Sequence, residues 1–180
     1  MCGRFILTCP LSEIEAHFDF DEIAASWEPR YNIAPSQPVL AIVQEEDGQR
    51  RLRTFRWGLI PAWAKDERIG NRLINARAES VGEKPSFRAA FRSRRCLILG
   101  NGFYEWKKAG TRKIPFLIQL ASKEPFAMAG LWERWRAPDG EEVRSCTILT
   151  TDANEAIAPI HPRMPVILPR SAHGTWLDPG

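Results

Sequence analysis

Cys2 carries the most reactive pair of groups in this sequence. Its side chain is small enough that methionine aminopeptidase is expected to remove Met1 and expose the α-amine of Cys2. That amine has a reference pKa of about 7.7–8.0, against about 10.4 for lysine, which makes it the better carbonyl nucleophile near neutral pH. The amine can form a Schiff base with an aldehyde, and the neighbouring thiol can then close a five-membered thiazolidine ring. The residue types therefore predict aldehyde capture.

The residues after Cys2 indicate that this end of the chain is anchored. Gly3 allows close approach to the backbone, and Arg4 offers a planar guanidinium fork that suits phosphate. The apolar run at positions 5–7 predicts a strand buried in a core. The alternative is that Cys2 is an incidental small residue at a frayed terminus, which would not need that apolar run.

Two further side chains could move protons. Glu105 lies between Tyr104 and Trp106, so we expect a desolvated carboxyl group that exchanges protons near neutral pH. The alternative is a strand carboxylate paired with Lys107 or Arg112. His161 is the second such side chain, because a histidine gains or loses a proton at working pH; a lone loop histidine is more often structural.

Composition limits the protein class. The 180 residues, 44% of them hydrophobic, fit one domain at 1–180, and neither a membrane-spanning run nor a signal peptide is evident. We therefore expect a soluble, cytoplasmic protein. The four cysteines and three histidines lack the spacing of a metal site or a disulfide framework, so we expect no metal and no cofactor.

Positive charge is concentrated in the middle of the chain. Between Arg68 and Lys113 there are twelve lysines and arginines against three glutamates, although the whole chain has a net charge of only +3. Such a segment suits a phosphate-binding surface or is simply a solvated face.

The pattern of short apolar runs indicates what positions these groups. The predicted strands are Gly3–Leu7, Val39–Val43, Leu52–Leu59, Cys96–Leu99, Pro115–Leu120, Phe126–Trp132, Val143–Thr150 and Met164–Leu168. The predicted helices are short: one opened by a Ser12 and Glu15 capping box and ending near Phe18, one from Ser171 to Trp176, and one turn at Pro85–Phe91. This favours an α+β class, with a mostly antiparallel sheet or barrel and few short helices.

Several motifs, in this order along residues 1 to about 168, resemble the SOS-response-associated peptidase (SRAP) family of abasic-site-processing proteins. They are Met1-Cys2-Gly3-Arg4-Phe5, Tyr31-Asn32-Ile33-Ala34-Pro35, Arg56-Trp57-Gly58-Leu59-Ile60-Pro61 with Trp63, Ile74-Asn75-Ala76-Arg77-Ala78-Glu79, Gly102-Phe103-Tyr104-Glu105-Trp106, and His161 with Arg163-Met164-Pro165. The resemblance implies a distorted β-barrel core and covalent capture of abasic sites in single-stranded DNA through the N-terminal cysteine. It also implies that relatives continue past residue 180, so a C-terminal segment of the family is expected to be missing here.

The resemblance implies roles for the matched residues. Glu105 opens the deoxyribose ring and shuttles protons, and His161 is the general acid at the departing sugar hydroxyl. Asn75 orients the Cys2 amine or the sugar oxygen through its amide. Pro162 stands where the family pattern has an acidic residue, so a hydrogen bond from that acid is not expected in this chain.

The resemblance, together with the chemistry of the matched residues, also predicts DNA contacts. Arg4, Arg77 and Arg163 adjoin catalytic candidates and are expected to bind phosphates. Pro35 and Trp63 match positions that contact bases, whereas Trp57 is predicted to be core. Thr150 is expected to add a hydroxyl contact. Cys9, Cys96 and Cys146 are predicted to be small buried hydrophobes.

Two other function classes stay open. Cys2 and His161 could be the nucleophile and base of a cysteine peptidase, which the family name suggests and which would account for self-removal of Met1. The basic segment could instead bind single-stranded DNA without covalent chemistry, leaving Cys2 idle. The Schiff base also leaves open a lyase-type β-elimination. The expected partner is single-stranded DNA containing abasic sites, bound by a monomer that does not associate with membranes.

Overall fold

Residues 2–178 are described by the structure, a computed structural model, and most of them form short strands. The strands are β1 (Arg4–Leu7), β2 (Glu22–Ile23), β3 (Arg30–Ile33), β4 (Pro38–Gln44), β5 (Arg50–Trp57), β6 (Asn75–Arg77), β7 (Arg95–Gly100), β8 (Gly102–Ala109), β9 (Arg112–Ile118), β10 (Phe126–Arg136), β11 (Glu142–Asp152), β12 (Arg163–Pro165) and β13 (Ile167–Leu168). The helices are α1 (Leu11–His17), α2 (Arg88–Ser93) and α3 (His173–Leu177), with 3₁₀ turns at Glu67–Arg72 and Arg170–Ala172.

Five of these strands close into a barrel. β11, β10, β7, β4 and β5 pair in that order, all antiparallel, and a parallel pairing of β5 with β11 completes the ring. Alternating apolar side chains fill its interior because successive residues of a strand point to opposite faces. The α+β class, with a mostly antiparallel distorted barrel and few short helices, is confirmed.

A second sheet of four strands, in the order β3-β1-β8-β9, holds the start of the chain. Phe5 pairs with Ile33 on one side and with Phe103 on the other, and all three side chains are buried. Phe5 also makes an edge contact with Trp57 at 5.1 Å between ring centroids, which joins this sheet to the barrel. The predicted anchoring of the terminus and the core position of Trp57 are both confirmed.

The chain between β5 and β6 leaves β11 and returns to it. β5 pairs with the first part of β11 and β6 with the later part. Residues 58–74 form the loop that connects these two pairings. Gly58 has a φ of +127°, and a Cβ there would lie 2.6 Å from the carbonyl oxygen of Gly70. Only glycine permits this approach, which holds the start of the loop against Gly70, shortly before Asn75 begins β6.

Several predicted boundaries were wrong. β8, the strand that carries Glu105, was absent from the predicted set. Met164–Leu168 is two strands, because the backbone of Val166 bonds to both Leu149 and Ala129 as the chain crosses from β11 to β10.

The helix predictions need similar correction. Ser12 does not cap α1: the helix follows Pro10, whose carbonyl accepts from Glu13 and Ile14, and no side chain caps it. The turn expected at Pro85–Phe91 is helical only from Arg88 onward. The helix expected from Ser171 starts as a 3₁₀ turn and becomes α-helical at His173.

No helix within residues 2–178 combines the length and apolar character that a membrane crossing requires.

Candidate functional site

Cys2 lies just before β1, and its side chain is completely buried in the main core cluster. Its Sγ lies 3.8 Å from the carbonyl oxygen of Arg4. Burial, and to a smaller extent the charge of the Glu105 carboxylate, raise the pKa of this thiol to about 12. The thiol is therefore protonated throughout the physiological range, and Glu105 is close enough to act on it electrostatically.

Asn75 reaches Cys2 from the barrel. As the first residue of β6 it lies beside Ile148 of β11, and its Nδ2 donates a 2.8 Å hydrogen bond to the carbonyl oxygen of Cys2. The preceding carbonyl, of Ile74, accepts a 2.9 Å bond from the indole of Trp57. The Oδ1 of Asn75 is buried and has no hydrogen-bond partner within residues 2–178, so it is an open acceptor beside the start of the chain.

Glu105 and His161 meet on the same site. Glu105 is only 2% exposed, and its Oε1 lies 3.9 Å from Nδ1 of His161. Among the described side chains its ion-pair contact is this histidine rather than Lys107 or Arg112. Nδ1 of His161 lies 3.0 Å from both the backbone nitrogen and the carbonyl oxygen of Arg163, so this segment fixes the orientation of the ring. The pair therefore joins a buried carboxylate to a half-buried imidazole.

Arg163 is already held by protein groups. Its guanidinium contacts both carboxylate oxygens of Glu79 at 2.7 and 2.9 Å, Asp152 at 2.7 Å and the carbonyl of Thr150 at 2.6 Å. The hydrogen bond from Arg163 holds the pKa of Glu79 down at about 2. These contacts fix the segment that carries His161, and phosphate binding by Arg163 stays a prediction.

Thr150 was predicted to contact DNA, but it is completely buried. Its hydroxyl lies 3.5 Å from the carbonyl of Ala76 and 3.4 Å from the guanidinium of Arg163. A buried hydroxyl with these neighbours positions β6 and Arg163 and does not reach solvent.

Arg4 and Arg77 keep their guanidinium groups available. Arg4 donates a 2.9 Å bond to the side-chain oxygen of Asn32, a neutral acceptor that orients it without neutralising its charge. Arg77 is exposed and lies two residues after Asn75. Both lie beside the site formed by Cys2 and Asn75, and phosphate binding by them stays a prediction.

Pro35 and Trp63 lie on two different projections. Pro35 is half-buried in a turn that is held by the Gln37 side-chain oxygen, which accepts from the backbone of Ala34 at 3.0 Å. Trp63 is 60% exposed and borders a cavity of about 610 Å³. The cavity is also lined by Lys65, Ile69 and Arg72, and by Arg68, which is paired with Asp66. An exposed indole beside cations suits stacking on a base.

Sequence reasoning missed the residues that support these groups. Asn32 orients Arg4, while Glu79 and Asp152 hold Arg163. Asn32 and Glu79 fall within the matched motifs, which was the available signal for them. Asp152 carried no signal, because its role follows only from the pairing of β11 with β12.

The arrangement brings together groups that suit carbonyl chemistry. A buried thiol, an amide with an open acceptor, and a carboxylate beside an imidazole surround the start of the chain, with two available arginines at its margin. Within residues 2–178 no group of three or more histidine, cysteine, aspartate or glutamate side chains could hold a metal ion. The buried Cys9, Cys96 and Cys146 behave as predicted for small hydrophobes.

Comparison with known proteins gives one consistent result. The sequence profile described as "SOS response associated peptidase (SRAP)" matches residues 1–180. The protein named "Abasic site processing protein YoqW" of Bacillus subtilis (strain 168) is 48% identical over 182 residues, which cover 99% of this chain and 81% of that protein. "Abasic site processing protein YedK" of Escherichia coli (strain K12) is 32% identical over 191 residues, 98% of this chain and 79% of the other.

Solved structures share the fold. A crystal structure of a protein from Bacteroides thetaiotaomicron superposes with a TM-score of 0.88 at 29% identity, covering 99% of this chain and 82% of that one. A protein from Bordetella bronchiseptica gives a TM-score of 0.84 at 28% identity, covering 98% and 88%. These similarities extend over nearly the whole chain, including every strand that contributes to the site.

Proposed function

Because this chain belongs to the SOS response associated peptidase (SRAP) family, we propose that it processes abasic sites, by capturing them covalently in single-stranded DNA through Cys2. The observation that carries the proposal is a convergence of residues distant in sequence. Asn75 bonds to Cys2, and Glu105, which raises the pKa of the Cys2 thiol, lies beside His161. Relatives named for abasic-site processing supply the substrate class.

The reaction needs the α-amine of Cys2, so removal of Met1 comes first. The open-chain form of an abasic deoxyribose carries an aldehyde. The amine attacks its carbon, the aldehyde oxygen leaves as water with two protons from the amine, and the carbon–nitrogen double bond of a Schiff base forms. The Sγ–H then adds across the carbon–nitrogen double bond: sulfur bonds to the carbon and the proton ends on nitrogen. One water leaves in total, and no oxidant or reductant is needed.

The protonated state of the Cys2 thiol suits ring closure better than direct attack on the aldehyde. With a pKa of about 12 the thiol is neutral and a weak nucleophile on its own. It has only to reach a carbon already bound to the adjacent amine, where proximity replaces thiolate reactivity. Ring closure also consumes the Schiff base from which β-elimination would start, so we expect protection of the strand to prevail over lyase cleavage.

Asn75, Glu105 and His161 take separate roles. The bond from Asn75 to the Cys2 carbonyl fixes the N-terminal backbone, and its open Oδ1 can accept a proton from the amine or the sugar. Glu105 exchanges protons with the sugar during ring opening and imine formation. His161, oriented by the backbone of Arg163, serves as general acid at the departing hydroxyl. Arg4 and Arg77 bind the flanking phosphates.

A cysteine peptidase is less well supported. Such an enzyme needs a cysteine thiolate, which forms when a neighbouring imidazole lowers the pKa of the thiol. Here burial and Glu105 raise the thiol pKa, and His161 contacts Glu105 and the backbone of Arg163.

A denaturing gel tests the proposal. Met1-processed protein mixed with an abasic single-stranded oligonucleotide should give a covalent band of unit stoichiometry. Cys2→Ala should give none, and an unchanged band with that variant would end the proposal. A noncovalent binder with an idle Cys2 would instead bind intact and abasic oligonucleotides alike and leave no band.

A further inference from the structure

The β8–β9 hairpin carries four cations around its turn: Lys107, Lys108, Arg112 and Lys113. No acidic residue occurs between Trp106 and Lys123. All four are exposed, and within residues 2–178 none lies within ion-pair distance of a carboxylate, whereas several arginines of the barrel are paired.

Two of these cations oppose each other. Lys108 pairs directly with Lys113 across the two strands, and the next pair toward the turn is Ala109 with Arg112. Like charges at directly opposite positions destabilise a hairpin. A hairpin that holds such a pair without a neutralising partner is suited to a ligand that brings negative charge.

Apolar side chains connect this cluster with the site. Phe116 pairs directly with Glu105, and Ile114 pairs with Lys107, so all four lie on one face of the hairpin. Cβ atoms of opposite residues in such pairs lie about 4.5–5.5 Å apart. Phe116 is 38% exposed, although its neighbour Glu105 is buried. A sugar that reaches Glu105 therefore has an accessible phenyl ring next to it.

The backbone argues against a protein strand as the occupant. β9 is the outer strand of its sheet, but Pro115 in its middle has no N–H to donate, and Lys113 adds a charge at the edge. Proline and lysine on an edge strand disfavour its pairing with a second chain. The side chains on the Glu105 face, an aromatic ring followed by Lys107 and Arg112, fit a nucleic-acid strand better.

We propose that the β8–β9 hairpin is a second DNA-binding site, in which Phe116 stacks on a base next to the abasic sugar, and Lys107 and Arg112, on the same face, hold phosphates further along the same strand. This inference rests on the proposed function, because Glu105 marks the position of the sugar. With a rise of about 3.4 Å per residue, Lys107 lies about 7 Å and the hairpin turn about 17 Å beyond Glu105. The site therefore spans roughly two to five nucleotides on one side of the lesion.

The charge is tested with the double variant Lys107→Gln/Arg112→Gln. Initial crosslinking rates, at protein concentrations far below saturation, are compared on oligonucleotides with roughly two or roughly ten nucleotides on each side of the abasic site, over about 50 to 200 mM salt. The wild type should react faster on the long substrate. The variant should lose most of that gain, and its salt slope on the long substrate should fall by about 1.4, or about 0.7 for each lost phosphate contact.

Arg92→Gln/Arg136→Gln is the matched control. It removes two exposed charges outside the hairpin, one in the helix α2 and one in β10 of the barrel. It should retain the wild-type length dependence and slope. A hairpin variant indistinguishable from this control overturns the inference; a hairpin that binds protein instead would give that result.

Stacking is tested separately. Phe116→Ala should slow crosslinking of the long substrate by at least about fivefold, and Phe116→Trp should restore it. Leu117→Ala, on the opposite face and also exposed, should have no effect. Equal effects of Phe116→Ala and Leu117→Ala would contradict the stacking assignment.

The design separates this inference from the proposed function. Failure of the wild type to crosslink even the short substrate would remove the proposed function. The salt slope for noncovalent binding of an intact oligonucleotide, measured by fluorescence anisotropy, would still decide whether the hairpin binds DNA.

Discussion

The side-chain amide of Asn75 donates a 2.8 Å hydrogen bond to the main-chain carbonyl of Cys2, across 73 positions of sequence. The bond ties the start of the chain to β6, and β6 is itself fixed against β11 in the barrel. Because a rigid scaffold sets the position of this carbonyl, the adjacent amine has a defined location once Met1 is removed. Chemistry at a chain terminus, ordinarily a mobile part of a protein, depends on this restraint.

We predict that Asn75→Ala slows crosslinking by about 10- to 100-fold, because a misplaced nucleophile loses the advantage of proximity. Asn75→Asp should be at least as slow, since a carboxylate cannot donate to the Cys2 carbonyl. Single-turnover crosslinking rates measure both. Asn71→Ala, an exposed asparagine in the preceding 3₁₀ turn, is the control and should react like the wild type. A fast Asn75→Ala variant would leave the bond without a role.

Glu105→Gln should lower the crosslinking rate by about 10²- to 10⁴-fold while leaving noncovalent affinity for intact DNA unchanged. Glutamine keeps the shape of the side chain but cannot exchange protons with the sugar. His161→Gln should reduce the rate by a smaller factor, because Glu105 remains. If the two effects multiply in the double variant, the 3.9 Å contact between these residues carries no coupling, contrary to our account.

Arg163→Ala should lower the urea midpoint of unfolding, whereas Arg77→Ala should weaken DNA binding at an unchanged midpoint. The difference follows from the contacts of Arg163 with Glu79, Asp152 and Thr150. The pKa of Glu79 falls from 4.5 to about 2 in the folded protein, so its contribution is present above pH 4.5 and is lost as the pH falls toward 2. The wild type should therefore lose its stability advantage over Arg163→Ala across that range. A stability difference between the two proteins that does not change with pH would contradict this role of the Glu79–Arg163 pair.

Buried thiols should destabilise the protein in alkali. Burial raises the pKa of Cys146 well above its ordinary value of 9.0, and the same holds for Cys96 beside it. The unfolded chain releases these protons from about pH 9 and the folded chain does not, so stability falls as the pH rises. At pH 10 each such thiol costs about 1.4 kcal/mol, and Cys146→Ala should remove one such contribution.

Urea unfolding at pH 7 and pH 10 measures this loss. At pH 7 the variant should be less stable than the wild type by about 1–2 kcal/mol, because a buried side chain is shortened. Between the two pH values it should then lose about 1.4 kcal/mol less than the wild type. Equal losses would mean that Cys146 ionises in the folded state.

The fold was predictable wherever strands alternate regularly around one core. The β10 and β11 runs were found because their apolar periodicity is long and uninterrupted. β8 was missed because charged and exposed residues follow Glu105, where the strand leaves the core and only pairing with β9 maintains it. The capping box at Ser12 failed because Pro10 is the N-cap, which starts the helix two residues earlier.

The candidate site was predictable as a set of residues and not as a geometry. Cys2 could be chosen on its chemistry alone, and Asn75, Glu105 and His161 on the family resemblance. That Arg163 is neutralised could not be foreseen, because Glu79 and Asp152 reach it only through the pairing of β11 with β6 and β12. Tertiary contacts of this kind leave no periodic signal in a sequence.

The most direct test is intact mass spectrometry of the reaction between Met1-processed protein and an abasic single-stranded oligonucleotide, without borohydride. We expect one adduct whose mass is the sum of both reactants less one water. Cys2→Ser should give an adduct only when borohydride reduces its imine, because serine lacks the thiol that closes the stable ring. An unreduced adduct of equal yield from Cys2→Ser, or one that still contains Met1, would contradict the mechanism.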